Sequence, residues 1–303
     1  MADTWLPHHA TRVRPSTLKR DEQLLRVHIV PVIGQMRLSA IRPMHVQKVV
    51  DEVATKSLSA GTQVLVYRVL SSSLAQALRW QLIAVNPAKA VRPPRPERPM
   101  LNIPDVDQMA RILDVARDSW IEKPVLLSSA TGMRLGETLA VRWVDLDLER
   151  GVVRVTRALD RDFRFSAPKS ARSRRTINLP PFAIDALRRW KREQNERRLA
   201  VGEAWADHDL VVDDGLGAPL RVDSVSSAFA TMMRRADIAP RPRFHALRHG
   251  YATRLLEAGV HPKVVSEALG HASVAFTMDR YQHVMPTMQA QAADAIQEAL
   301  GRR

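Results

Sequence analysis

Apolar positions in the first ninety or so residues recur at helical spacing. They run Leu18-Leu25-Ile29, then Val46-Val49-Val50-Val53, then Val64-Leu65-Val69-Leu74-Leu78. Side chains three, four or seven positions apart share one face of a helix, so this pattern predicts amphipathic helices packed on a common core. Pro43 suits the first turn of the second helix, where its missing N–H costs nothing, and Ser59 suits the cap of the third. Lys19, Arg20, Arg26, Lys48 and Arg68 fall on the polar faces, as solvated charges or as phosphate contacts. About fifteen residues precede the first of these helices.

The helical pattern breaks at 92–99, Arg-Pro-Pro-Arg-Pro-Glu-Arg-Pro. Such a segment cannot sustain a helix and lacks most ladder donors. It reads as a polyproline linker reaching roughly 25 Å at ~3.1 Å per residue, comparable to the width of a DNA duplex. Beyond it, helical stretches are expected near 105–117 and 121–130. Strand-like alternation follows at Val152-Val153-Arg154-Val155 and at Arg175-Thr176-Ile177-Asn178-Leu179, separated in part by an Arg-, Lys- and Ser-rich stretch at 163–173. After Pro180 the chain returns to mostly helical patterning. The expected fold is therefore mainly α with a small β-sheet: a helical domain over 1–91, a linker over 92–99 and an α+β domain over 100–303.

Composition narrows the partners. An apolar share of 45% over 303 residues can fill two cores. The net charge of +14 suits a polyanion, nucleic acid or an anionic membrane surface, although a basic protein from an Arg-rich proteome would show it too. No run of about 18 apolar residues offers a spanning helix, and the opening residues lack the regions of a signal peptide. With no cysteine there can be no disulfide, thiolate zinc site or cysteine nucleophile. A cytoplasmic location is expected.

Four short clusters in the second half carry the candidate chemistry. In Thr131-Gly132-Met133-Arg134-Leu135-Gly136-Glu137, Gly132 marks a turn and Arg134 begins a helix with Leu135, Leu139 and Val141 on its apolar face. A cation at that end of a helix is misplaced unless it meets an anion or pairs with Glu137 one turn on. In Phe244-His245-Ala246-Leu247-Arg248-His249, His245 and Arg248 share a helix face at the margin of a stripe formed by Leu247, Tyr251 and Leu255. His245 and His249 also have a zinc-like spacing, but Ala246 stands where a zinc-protease helix has Glu. In Leu269-Gly270-His271, Gly270 is expected to end a helix begun at Pro262, leaving His271 as a structural residue or a site residue. Finally, Thr277-Met278-Asp279-Arg280-Tyr281-Gln282-His283 places Tyr281 on a short helix, as a core residue or a reactive one.

The order and spacing of these clusters resemble the tyrosine recombinase (phage integrase) family. The resemblance spans roughly residues 15–300, and it likens the first domain to the family's core-type DNA-binding domain and the second to its catalytic domain. It implies Arg134 and Arg248 as phosphate ligands, Glu137 as support for Arg134, His245 and His271 as further catalytic residues and Tyr281 as nucleophile. Lys169, in Ala167-Pro168-Lys169-Ser170 followed by Arg174-Arg175-Thr176-Ile177, matches the family's β-hairpin lysine; Arg172 and Arg174 lie close by.

Those residue types suit phosphodiester exchange. Two guanidiniums can hold the non-bridging oxygens in a forked geometry that lysine cannot copy. A phenol with a pKa near 10 needs a base or a cationic field to attack at neutral pH, and His245 is the candidate base. His271 would donate to the phosphate and Lys169 would protonate the departing 5′-oxygen. Exchange of one alcohol for another conserves bond energy, so no nucleotide cofactor is expected, and the sequence has no obvious carboxylate cluster for magnesium, so no metal is expected either. The implied protein is a phage or mobile-element integrase that works through a 3′-phosphotyrosyl intermediate on core-type sites of double-stranded DNA. It would act as a homotetramer on two duplexes, away from any membrane, with an accessory factor for excision as a further partner and no separate arm-binding module. The Ala-rich pattern from Pro286 through Leu300 would dock on a neighbouring protomer. The alternatives are a chromosome-dimer-resolving recombinase, a type IB topoisomerase and a DNA-binding regulator with an idle site.

Overall fold

A computed structural model describes residues 2–56, 58–92, 102–167, 174–271, 273–281, 293–294 and 296–301. The chain divides into two compact units, Met1–Met100 and Leu101–Arg303. The linker expected at 92–99, Arg92 apart, and Lys169 with its 168–173 neighbours lie outside the described residues. Among the described residues no helix is long and apolar enough to cross a membrane.

The first unit is helical: α1 (Ala2–Ala10), α2 (Pro15–Leu24), a π turn at Leu25–Ile29, α3 (Val30–Ile33), α4 (Pro43–Thr55) and α5 (Ala60–Arg79). Pro43 opens α4, whose Val46, Val49, Val50 and Val53 are all buried, as the spacing predicts. Ser59 Oγ caps α5 by accepting from the Thr62 amide at 3.2 Å. One expectation needs correction. The buried residues of α5 are Val66, Val69, Leu70, Ser73, Leu74, Gln76 and Ala77, while Leu78 is left exposed; the true stripe is turned toward small and polar side chains that an apolar pattern passes over. The residues ahead of α2 form α1. Aromatic contacts help hold that helix: buried Trp5 stacks on His9, whose Nε2 meets buried Asp21 at 2.9 Å, and His8 packs edge-on against Trp80.

The second unit opens with α6 (Val106–Ala116), α7 (Glu122–Thr131) and α8 (Leu135–Thr138). The strands β1 (Leu146–Asp147), β2 (Val152–Val155), β3 (Ala158–Leu159), β4 (Phe165–Ser166) and β5 (Arg175–Asn178) come next. Helices α9 (Pro181–Val201), α10 (Val222–Arg235), α11 (His245–Glu257), α12 (Pro262–Leu269) and α13 (Val274–Tyr281) follow. The expected ribbon is present: β2 and β5 run antiparallel, with Val152 opposite Asn178 and Val155 opposite Arg175. β1 adds to the other edge of β2, and β3 pairs with β4 separately. Val153 and Ile177 point from the three-stranded sheet into a core with Leu127, Leu139, Leu187, Trp190, Phe229 and Leu247. A smaller cluster of Ala252, Leu256, Val265, Leu269 and Tyr281 joins α11, α12 and α13.

The helix expected to begin at Arg134 is only the four-residue α8. Leu139 and Val141 are buried but lie past its end. The backbone has turned by then to pair with the 210–211 segment, where Val211 N donates to Val141 O and Arg142 bridges to Leu210.

Candidate active site

The end of α7, the start of α11 and the end of α12 meet around the Arg248 side chain. Helix α7 stops at Gly132, whose φ of +65° suits glycine, and a Cβ there would lie 2.5 Å from the Tyr251 ring. The turn that results delivers Arg134. Helix α12 stops in the same way at Gly270, with φ +64°, and delivers His271. Arg248 is 3% exposed and bonds both turns, from Nη1 to Gly132 O and from Nη2 to Leu269 O, each at 2.7 Å. It was expected at the margin of a core stripe. Instead it is enclosed, because each of these carbonyls lies at the end of a helix and a guanidinium can fill two such acceptors at once.

Arg134 faces outward, its side chain 42% exposed. Of the two partners left open by the sequence, it has Glu137: Nη1 donates to Oε1 at 2.7 Å, and the Arg134 amide donates to Oε2 at 3.0 Å. Glu137 is 4% exposed and also accepts from Arg175 Nη2 at 2.8 Å. Burial would raise its carboxyl pKa, but the Arg175 hydrogen bond and the charges of Arg175 and Arg134 outweigh that and hold it below the usual carboxylate range.

The electrostatics place the remaining groups. Burial and then the nearby Arg134 pull the Arg248 guanidinium down to about 9, against the opposing pull of Glu137 and Tyr281; it is still charged at neutral pH. His271 is lowered to about 4, first by burial and then by Arg248, Arg134, Arg175 and His245. A neutral imidazole thus faces three guanidiniums, with its Nδ1 fixed 2.8 Å from Thr277 Oγ1. The arrangement favours an anion between these groups, as a low-dielectric oxyanion site does.

Tyr281 has no exposed surface. Its phenol lies 2.7 Å from His249 Nδ1, and the His249 ring packs edge-on against His245 at 4.7 Å between centroids. The structure therefore brings Arg134, Glu137, Arg248 and His271 together, with exposed His245 at the rim and Tyr281 behind His249. Sequence reasoning gave no role to Arg175 and weighed His249 only as half of a zinc pair. Among the described residues no three His, Asp or Glu side chains gather as metal ligands.

Comparison with known proteins places this architecture. Residues 104–288 match the phage integrase family, and residues 1–54 match the phage integrase N-terminal SAM-like domain. A tyrosine recombinase XerC-like protein of Caldanaerobacter subterraneus subsp. tengcongensis is 27% identical over 284 residues, covering 87% of this chain and 72% of the relative. The Tn1549 transposon integrase, solved with transposon right end DNA, superposes with a TM-score of 0.82 at 19% identity, over 99% of this chain and 98% of that one. A lambda integrase tetramer bound to a Holliday junction gives a TM-score of 0.69 at 19% identity, over 90% of this chain and 76% of that one. The chain belongs to the phage integrase family. It is an enzyme, a site-specific DNA recombinase of the tyrosine type.

Proposed function

We propose that this recombinase cuts and rejoins double-stranded DNA at core-type sites through Tyr281, for a phage or other mobile element. The observation that carries the reading is the convergence of Arg134, Arg248 and His271 on one cationic site with Tyr281 beside it. The phenol oxygen attacks the scissile phosphorus and the 5′-oxygen leaves. The phenol proton passes to a base, His245 by motif and His249 by contact. Lys169 protonates the leaving oxygen, and Arg134 and Arg248 neutralise the non-bridging oxygens while His271 donates to one of them. A 5′-hydroxyl of the second duplex then reverses the step and releases the tyrosine.

A side chain that no water can reach cannot touch a phosphate. Tyr281 must therefore leave His249, with α13 or its cover moving, before it attacks. Four copies acting on two duplexes is the assembly proposed, in line with the lambda integrase tetramer. The protein would work in the cytoplasm, where its DNA is, with an accessory factor for excision. The XerC-like relative favours a second reading, resolution of chromosome dimers, and the position of the gene separates the two: at the edge of a mobile element or among housekeeping genes.

The test uses nicked duplexes tiling the DNA that flanks the gene. The nick lets the short 5′ strand diffuse away and traps the protein–DNA adduct. Wild-type protein should form an adduct stable to detergent, and Tyr281→Phe none. An idle regulator would form none with either. Relaxation of supercoils without any sequence requirement would point to a topoisomerase.

A further inference from the structure

Arg175 lies at the start of β5, its backbone held opposite Val155 in the sheet and its side chain only 6% exposed. It reaches two elements far away in sequence. Nη2 donates to Glu137 Oε2 at 2.8 Å, and Nε donates to Ala268 O in the last turn of α12 at 2.6 Å. The neighbouring carbonyl, Leu269 O, accepts from Arg248. Two guanidiniums thus close the C-terminal end of α12, where orphan carbonyls and the helix dipole favour cations, and His271 follows two residues on. On its other side Arg175 completes Glu137, whose remaining bonds go to the amide and guanidinium of Arg134.

We propose that Arg175 is a positioning residue for strand cleavage: by gripping Glu137 and the end of α12 together, it makes Arg134 and His271 face the same phosphate. It need not touch DNA to do this. Lysine could keep the charge but not the two divergent donors, since an ammonium is a point where a guanidinium is a fork. The proposal rests on the recombinase reading of the site and adds a role to a residue that the motifs leave without one.

The experiment measures single-turnover adduct formation on a duplex captured as above, with DNA binding and circular dichroism as checks on folding. Arg175→Gln should bind DNA as wild type does and cleave about 10- to 100-fold more slowly, the range seen when outer partners of reacting groups are removed in metal sites. Arg175→Lys should fall between the two and serves if the glutamine variant does not fold. Because Arg175 acts in part through Glu137, the double variant Arg175→Gln, Glu137→Gln should lose less than the two single losses combined.

A pH profile separates positioning from general damage. Among the described residues, the charged groups around Glu137 are Arg134 on its own turn, Arg175 from β5 and Arg248 from α11, with His271 facing the same three guanidiniums. Without Arg175 the burial of Glu137 is less opposed, so the acid limb of the cleavage profile should move to higher pH. Wild-type cleavage by Arg175→Gln, additive losses, or a uniformly lowered profile with an unmoved acid limb would overturn the proposal. A wild-type protein that forms no adduct would fail one step earlier, at the recombinase chemistry itself.

Discussion

Glu137 is enclosed with two arginines, and its ionised form is the one the fold requires. Its pKa is depressed in the folded state, so the stability it contributes is present above the ordinary carboxylate range and is lost as pH falls through the lower folded value. Glu137→Ala leaves the buried Arg175 without this partner and should cost about 3 kcal/mol or more in urea unfolding, as breaking a buried pair does. An unchanged midpoint would contradict the geometry. His271 is also depressed, and here too folding disfavours the protonated form: the unfolded ring binds a proton near 6.5 and the folded one near 4, so stability declines as pH falls between those values. An NMR titration of the His271 ring should find that low midpoint in free protein and a rise when a phosphate enters the site; a midpoint near 6.5 without DNA would refute the cationic surroundings. The motif clusters made Arg134, Arg248, His271 and Tyr281 legible from sequence. Arg175 was not, since its partners lie 38 and 93 positions away and nothing local sets it apart from Arg174.

Short elements were the hardest to read and they set the geometry of the site. The four valines of α4 and the β2–β5 ribbon followed from periodicity because one face of each is buried in a regular pattern. β1, β3 and β4 have two residues each, too few to show alternation, and α8 is a single turn. What fixes α8 is contact. Gly136 lies against the backbone of β3, where an added Cβ would come within 2.5 Å of Leu159 O. Gly136→Ala must push α8 off β3, so it should destabilise the second unit by about 1–3 kcal/mol, the usual cost of overpacking, and slow cleavage by moving Arg134. Thermal unfolding and adduct rates measured together check this, and a silent substitution would mean that the contact is loose.

At the scale of the chain as a whole, a +14 protein that binds a polyanion should owe most of its affinity to phosphates. Binding should weaken by ~10³-fold or more between 50 and 200 mM salt if six or more phosphates are contacted. A flat salt dependence would argue against that mode. In the tail, Ile296 and Leu300 are exposed, four residues apart, in a helical stretch. Ending the chain after about residue 285 removes one turn-to-turn apolar pair that a neighbouring protomer could cover. Synapsis should fall more than DNA binding, and undiminished recombination by the shortened chain would refute that role. All of this presupposes that the hidden phenol is the group that attacks. Trypsin cleaves after Arg280, so the DNA-linked peptide from a trapped adduct should begin at Tyr281. Mass spectrometry that finds nucleotide on that tyrosine meets the expectation; nucleotide on another residue, or an equal yield from Tyr281→Phe, contradicts it.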